Sequence, residues 1–215
     1  GTDLSNLGNA RWRLNEAGRA IRYYEQALAI SKEIGDRRGE GGDLGNLGIA
    51  HGQLGNPQLA IEFFEQALTI DREISDSYGE GKDLANLGEA YRELGDAQQA
   101  IGVHELALAI HREIGDRCGQ GSDLTGLGNV YFQLGDARPA IGYFEQALAI
   151  HREIGDINGV ASASFNLSLL HAQQGDPAQA LLLARKAAQL WGQIGNTPYA
   201  QRAQQLVAQL ERQGR

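Results

Sequence analysis

The sequence predicts an all-α fold, a right-handed solenoid of antiparallel helix hairpins with about eleven helices. Three observations carry that expectation. Glycines recur with a fixed period of 40 residues: Gly8, Gly48, Gly88 and Gly128 form one series, and Gly55, Gly95, Gly135 and Gly175 another. Apolar residues fall at helical rather than strand spacing. Each helical stretch is closed by a stop signal and followed by a start signal. Most of the 29 glycines belong to such periodic series, so their number does not indicate disorder or a flexible linker.

The second unit illustrates the elements in order. Its first helix carries Leu44, Leu47, Ala50 and Leu54 on one stripe. Gly55 follows where a left-handed residue ends a helix, and Asn56-Pro57 restarts the chain with a capping side chain and a first-turn proline. The second helix presents Ala60, Ile61, Phe64, Ala67, Leu68, Ile70 and Ile74 on one broad face. Ser75-Asp76 closes the unit, and Asp36, Asp76, Asp116 and Asp156 are placed to cap the first helix that follows each of them. Such a hairpin cannot bury its own apolar face, so neighbours must stack. Leu7, Leu47, Leu87, Leu127 and Leu167 are expected to form one buried ladder, and Ala20, Ala60, Ala100, Ala140 and Ala180 another. The division into units is 1–40, 41–80, 81–120, 121–160 and 161–196. A capping helix over 197–215 follows, its apolar face made by Ala200, Ala203, Leu206, Val207 and Leu210.

Composition excludes several functions. The formal charge of −8 argues against nonspecific nucleic-acid binding, which needs a basic surface to neutralise phosphate. No apolar run reaches the ~18 residues of a membrane span, and a cytoplasmic setting is expected. A single cysteine, Cys118, allows neither an internal disulfide nor a cysteine-based zinc site. The chain lacks methionine, and we read it as an excised piece of a longer protein.

Chemistry is sparse. His51, His104, His111, His151 and His171 recur at repeat spacing instead of clustering with acids, and His111 and His151 read as surface residues. Gly39-Glu40-Gly41-Gly42 lacks the Lys-Ser/Thr that a phosphate loop requires. No enzyme activity, cofactor or metal is expected.

These repeats resemble tetratricopeptide repeats. The family's signature places fall on Leu47, Gly48, Ala60, Phe64 and Ala67 and their equivalents. The aromatic expected early in the repeat is present as Tyr91 and Tyr131 but replaced by Arg11, His51 and His171. The later one is present as Tyr24, Phe64 and Phe144 but replaced by His104 and Ala184. The 40-residue period, Asn-Leu-Gly and Glu-Gln-Ala-Leu are similar to the longer variety found in kinesin light chains, Pins-type adaptors and bacterial regulators.

The resemblance implies a scaffold that binds a protein or peptide along its concave face, through first-helix side chains turned away from the core. Those are Asn6, Asn9, Trp12, Asn46, Lys82, Asn86, Glu89, Arg92, Asn129, Phe132 and Asn166. Each asparagine amide can both donate to and accept from an extended backbone, or it can hold a turn between repeats. Trp12, Arg92 and Phe132 can anchor a partner or stack into the neighbouring repeat. The carboxylate clamp of chaperone-binding relatives is matched at Asn9, Asn46 and Lys82 but not at Ser5 and Asn86. Two alternatives stand beside the scaffold: a structural array self-associating through its N-terminal end, and the sensor region of a multidomain ATPase or effector.

Overall fold

A computed structural model describes residues 1–14 and 16–213, apart from the side chain of residue 213. All its regular structure is helical, and it divides into two compact units, Gly1–Gly115 and Asp116–Arg215. The first unit contains α1 (Thr2–Arg13), α2 (Ala17–Ile34), α3 (Arg37–Gln53), α4 (Pro57–Glu73), α5 (Ser77–Leu94) and α6 (Ala97–Glu113). The second contains α7 (Arg117–Gln133), α8 (Ala137–Glu153), α9 (Ile157–Gln173), α10 (Pro177–Gln193) and α11 (Thr197–Gln213). Within each unit every helix packs on the next in sequence. The last two residues of the expected cap, 214 and 215, lie outside the described residues.

Asp36, Asp76, Asp116 and Asp156 accept hydrogen bonds from the backbone N–H of Gly39, Gly79, Gly119 and Gly159, so these aspartates start α3, α5, α7 and α9. The helix pairs therefore run ahead of the 40-residue division by a few residues. Asn56 makes no side-chain cap, and Pro57 alone marks the start of α4. From α2 onward the turns between helices use glycine in the left-handed region, as at Gly55 (φ 75°), except that Ser75 adopts φ 55° at one of these positions.

The core of the first unit is built between hairpins. Phe64, Leu68, Leu84, Leu87 and Ala107 form one cluster, and Ala20, Tyr24, Leu47 and Ala50 another. In the second unit Phe144, Leu148, Leu167 and Leu170 pack together, while Phe165, Trp191, Ala200 and Ala203 seat α11. Ala20, Ala60, Ala100, Ala140 and Ala180 are all fully buried, as expected of close helix contacts.

Three further expectations are corrected. Leu7 is 46% exposed while Leu47, Leu87, Leu127 and Leu167 are buried, because among the described residues no earlier hairpin covers α1. Leu54 is half exposed, since it ends α3 at the cap rather than joining its buried stripe. His111 and His151 are buried, not on the surface. Each lies one helical repeat beyond buried alanines on its own helix, Ala107 and Ala147, so the spacing already placed it on the packed stripe.

Candidate functional site

The place held by asparagine on four of the first helices stays accessible, whereas its counterpart on α7, Gly126, is buried. Asn6 is exposed and Asn46, Asn86 and Asn166 are half-buried, beside the buried Leu47-Gly48, Leu87-Gly88 and Leu167-Ser168. In a helix packed along one stripe, such a position sits at the edge of the buried face. The amides are not all idle. Asn86 donates to Asp83, and Asn166 Nδ2 donates to Asn129 Oδ1 at 3.1 Å, tying α9 to α7. Asn9 Oδ1 accepts from the Tyr24 hydroxyl at 2.8 Å, within the first hairpin.

On α5, Lys82 is exposed, and Asn86, Glu89 and Arg92 follow at helical spacing as half-buried residues. Glu89 and Arg92 form a bidentate pair, with Nε donating at 2.9 Å. The guanidinium is held above its ordinary pKa, chiefly by that hydrogen bond. Lys82 is thus the more available cation of this face. Trp12 packs against the cluster of Ala20, Tyr24, Leu47 and Ala50, and its Nε1 is buried without a partner. Phe132 packs against the cluster around Phe144 and Leu148. Both aromatic rings therefore contribute to the packing of their own unit.

The first hairpin also carries a cleft of about 460 Å³ lined by Arg11, Arg19, Arg22, Tyr23 and Gln26. Glu16 lies 3.3 Å from Arg11 and 3.2 Å from Arg19, which meets much of that positive charge. Among the described residues no group of three or more His, Cys, Asp or Glu is arranged to hold a metal, and no helix is long and apolar enough to cross a membrane.

Sequence reasoning missed a set of buried polar residues under this face. Asp43, Asp83 and Asp123 occupy equivalent places and are 2%, 5% and 0% exposed. Asp43 accepts from Ser5 at 2.6 Å and from Ser31 at 3.0 Å, linking three helices. The signal was available, because each aspartate directly precedes a buried leucine at the 40-residue period.

The sequence profile of the tetratricopeptide repeat matches residues 3–73, 80–153 and 122–193. No curated protein sequence matches the chain significantly. Among solved structures, the chain is similar to a signal transduction ATPase with numerous domains from Pyrococcus horikoshii that carries a tetratricopeptide repeat sensor. The identity is 20% and the TM-score 0.82, over 95% of this chain and 31% of that one. It is similar to a Rap protein complexed with competence and sporulation factor (16% identity, TM-score 0.71, 98% of this chain and 63% of that one). A kinesin light chain-type protein of nearly identical repeats from Podospora anserina shares 18% identity at a TM-score of 0.70, covering 90% of this chain and 95% of that one. The chain therefore spans about a third of the first of these proteins and less than two thirds of the second. With a repeat profile matched along most of its length and helix pairs of the corresponding solenoid type, the chain belongs to the tetratricopeptide repeat family, whose repeats form protein-interaction scaffolds.

Proposed function

We propose that the first-helix face, the concave side expected of such arrays, binds an extended polypeptide segment through backbone contacts from its asparagines. The observation that carries this reading is the accessibility of Asn46 and Asn86 on successive first helices of one unit, each directly followed by a buried leucine and glycine. Amides at equivalent heights on neighbouring helices suit a backbone, which repeats its own donors and acceptors. Lys82 and Glu89 add charge of both signs, which favours a polar partner without strong net charge. Trp12 and Phe132 serve in this reading as supports of the face, given their packing against the core clusters.

The Rap protein solved in complex with competence and sporulation factor supports ligand capture by a related fold. The Pyrococcus ATPase, in which such repeats form a sensor, supports a role as the partner-sensing part of a larger regulatory protein. In this reading the chain works in the cytoplasm.

Selection of random 16-residue peptides on the purified chain tests the reading. Each contact is worth ~0.5–1.5 kcal/mol net. Replacing both Asn46 and Asn86 by alanine should therefore weaken the selected peptides about tenfold, whereas Glu65→Ala and Glu105→Ala on the second helices should not. Peptides equally sensitive to both pairs of substitutions, or to neither, would move binding off this face.

The exposure of Leu7 favours a second reading, in which the open side of α1 stacks on another copy. Sedimentation of the chain and of Leu7→Ser over a range of concentrations decides it: a self-association abolished by the substitution supports stacking, and monomers throughout exclude it.

A further inference from the structure

The first hairpin gathers arginines where the others have none. Arg11 near the end of α1 and Arg19, Arg22, Tyr23 and Gln26 of α2 line one cleft of about 460 Å³. The α2 residues follow at spacings of three and four, so they share one face of that helix. Forty residues on, the places of Arg11, Arg19 and Arg22 hold His51, Leu59 and Glu62, and in the later hairpins they hold no lysine or arginine either. In a chain with a formal charge of −8 this is a local reversal of sign.

The reversal displaces a packing contact. In the second hairpin the places of Arg11 and Tyr23 are taken by His51 and Phe63, whose rings stack at 5.3 Å, and in the fourth by Tyr131 and Tyr143, which stack at 5.5 Å. The first hairpin has a guanidinium in place of one ring. Apolar contact between the two helices is given up there, and charge enters the cleft instead.

Glu16 shows how an anion sits among these groups. Its Oε2 accepts from Arg11 Nη1 at 3.3 Å and from Arg19 Nη1 at 3.2 Å, so one carboxylate oxygen lies between two guanidiniums. Glu16 stands at the start of α2 but makes no side-chain cap, unlike Asp96 and Asp176 at the starts of α6 and α10. It engages one nitrogen of each arginine with a single charge, and the three guanidiniums keep a net excess of two. Among the described residues Arg22, the Tyr23 hydroxyl and the Gln26 amide make no side-chain hydrogen bond or ion pair. Arg19 and Arg22 also border a second cleft, of about 620 Å³, which reaches Gln53 and Leu54 at the end of α3.

We propose that this arginine cleft binds a phosphate group, free or as the monoester of a small molecule. Arg22 and the remaining donors of Arg11 and Arg19 hold it, and Tyr23 and Gln26 donate to its other oxygens. A phosphate dianion matches the excess of two positive charges, whereas a carboxylate brings one charge and two oxygens. Guanidinium forks pair with phosphate oxygens two at a time. Both clefts have the volume of small-ligand sites. The site shares no residue with the asparagine face and adds a second kind of ligand to the scaffold.

Titration calorimetry of the whole chain at low salt and pH 8, where phosphate is a dianion, tests the site with inorganic phosphate, phenyl phosphate and benzoate as probes. Both phosphates should bind, and benzoate should bind about tenfold more weakly or not at all. Tighter binding of phenyl phosphate than of inorganic phosphate marks an ester as the ligand, and equal binding marks the free ion. Arg22→Gln should weaken both phosphates about tenfold. Arg152→Gln, which removes an exposed charge from α8, should leave them unchanged. Glu16→Gln should tighten binding, because it removes the competing carboxylate without removing a cap. Arg22 and Arg152 are exposed and Glu16 is half-buried, so these variants probe the cleft rather than the fold. No heat with either phosphate, equal weakening by Arg22→Gln and Arg152→Gln, or benzoate binding as tightly as phenyl phosphate overturns the proposal.

Discussion

Gly48 and Phe64 are a matched pair: a Cβ on the glycine would lie 2.6 Å from Cε1 of the ring, which is 3% exposed. The missing methyl lets α4 approach α3 with an aromatic ring between them. The same relation joins Gly8 to Tyr24, Gly88 to His104 and Gly128 to Phe144. In the fifth hairpin both partners change together. Ser168 replaces the glycine and the fully buried Ala184 replaces the ring, so the gap is filled from the other side.

This pairing separates glycines that pack from glycines that merely weaken a helix. Gly48→Ala should destabilise by about 1–3 kcal/mol through overpacking, despite the better helix propensity of alanine. Gly42 is exposed in α3 with nothing within 4 Å of an added Cβ, so Gly42→Ala should stabilise by about 0.5–1 kcal/mol. Denaturant midpoints of the two variants, measured with unchanged slope, check opposite signs from the same chemical change.

Ser75 carries a backbone strain that its counterparts avoid. It adopts φ 55° where Gly35, Gly115, Gly155 and Gly195 lie between 70° and 73°. A left-handed conformation costs a residue with a Cβ about 1–2 kcal/mol, partly offset by the lower chain entropy of serine when unfolded. Ser75→Gly should raise stability by about 0.5–1 kcal/mol, and Gly115→Ala should lower it by about 1 kcal/mol. Unfolding in urea gives both values.

Much of the fold was legible because helix stops and starts are local chemistry. Gly55, Pro57 and the capping aspartates need no knowledge of distant residues. The candidate site was less legible because exposure depends on what stacks above each helix. Leu7 and Leu47 share a place in the period, yet among the described residues only Leu47 has a preceding hairpin to cover it. For Trp12 and Phe132 the sequence left anchoring and packing both open, and only the structure shows their rings reaching the hydrophobic clusters. For Asp71 and Asp83, polarity masked burial: spacing put them on packed stripes, and only the packed structure shows what faces them.

Trp191 offers a spectroscopic prediction. Its ring is 2% exposed, packs on Phe165 and Tyr199, and its Nε1 donates to Asn158 Oδ1 at 2.9 Å. Asn158 is itself exposed, so water can replace its amide at the indole, and Asn158→Ala should cost about 0.5–1.5 kcal/mol. Tryptophan emission followed through unfolding reports it, and the folded spectrum should stay that of a buried indole.

The Ser5–Asp43–Ser31 link makes a prediction with a pH sign. Burial raises the Asp43 carboxyl, and hydrogen bonds from Ser5 and Ser31 pull it back down. Ser31→Ala removes one of those donors, so the folded-state value rises further above that of the unfolded chain. A raised aspartate loses its stabilising contribution as pH increases through its folded value. The substitution should therefore cost more at pH 7, about 1–3 kcal/mol for a buried charged group left short of a donor, than at pH 4, where a smaller fraction of the raised carboxyl is ionised. A difference in stability between parent and variant that is the same at both pH values would show that the Ser31 hydroxyl acts by packing rather than by holding the charge of Asp43.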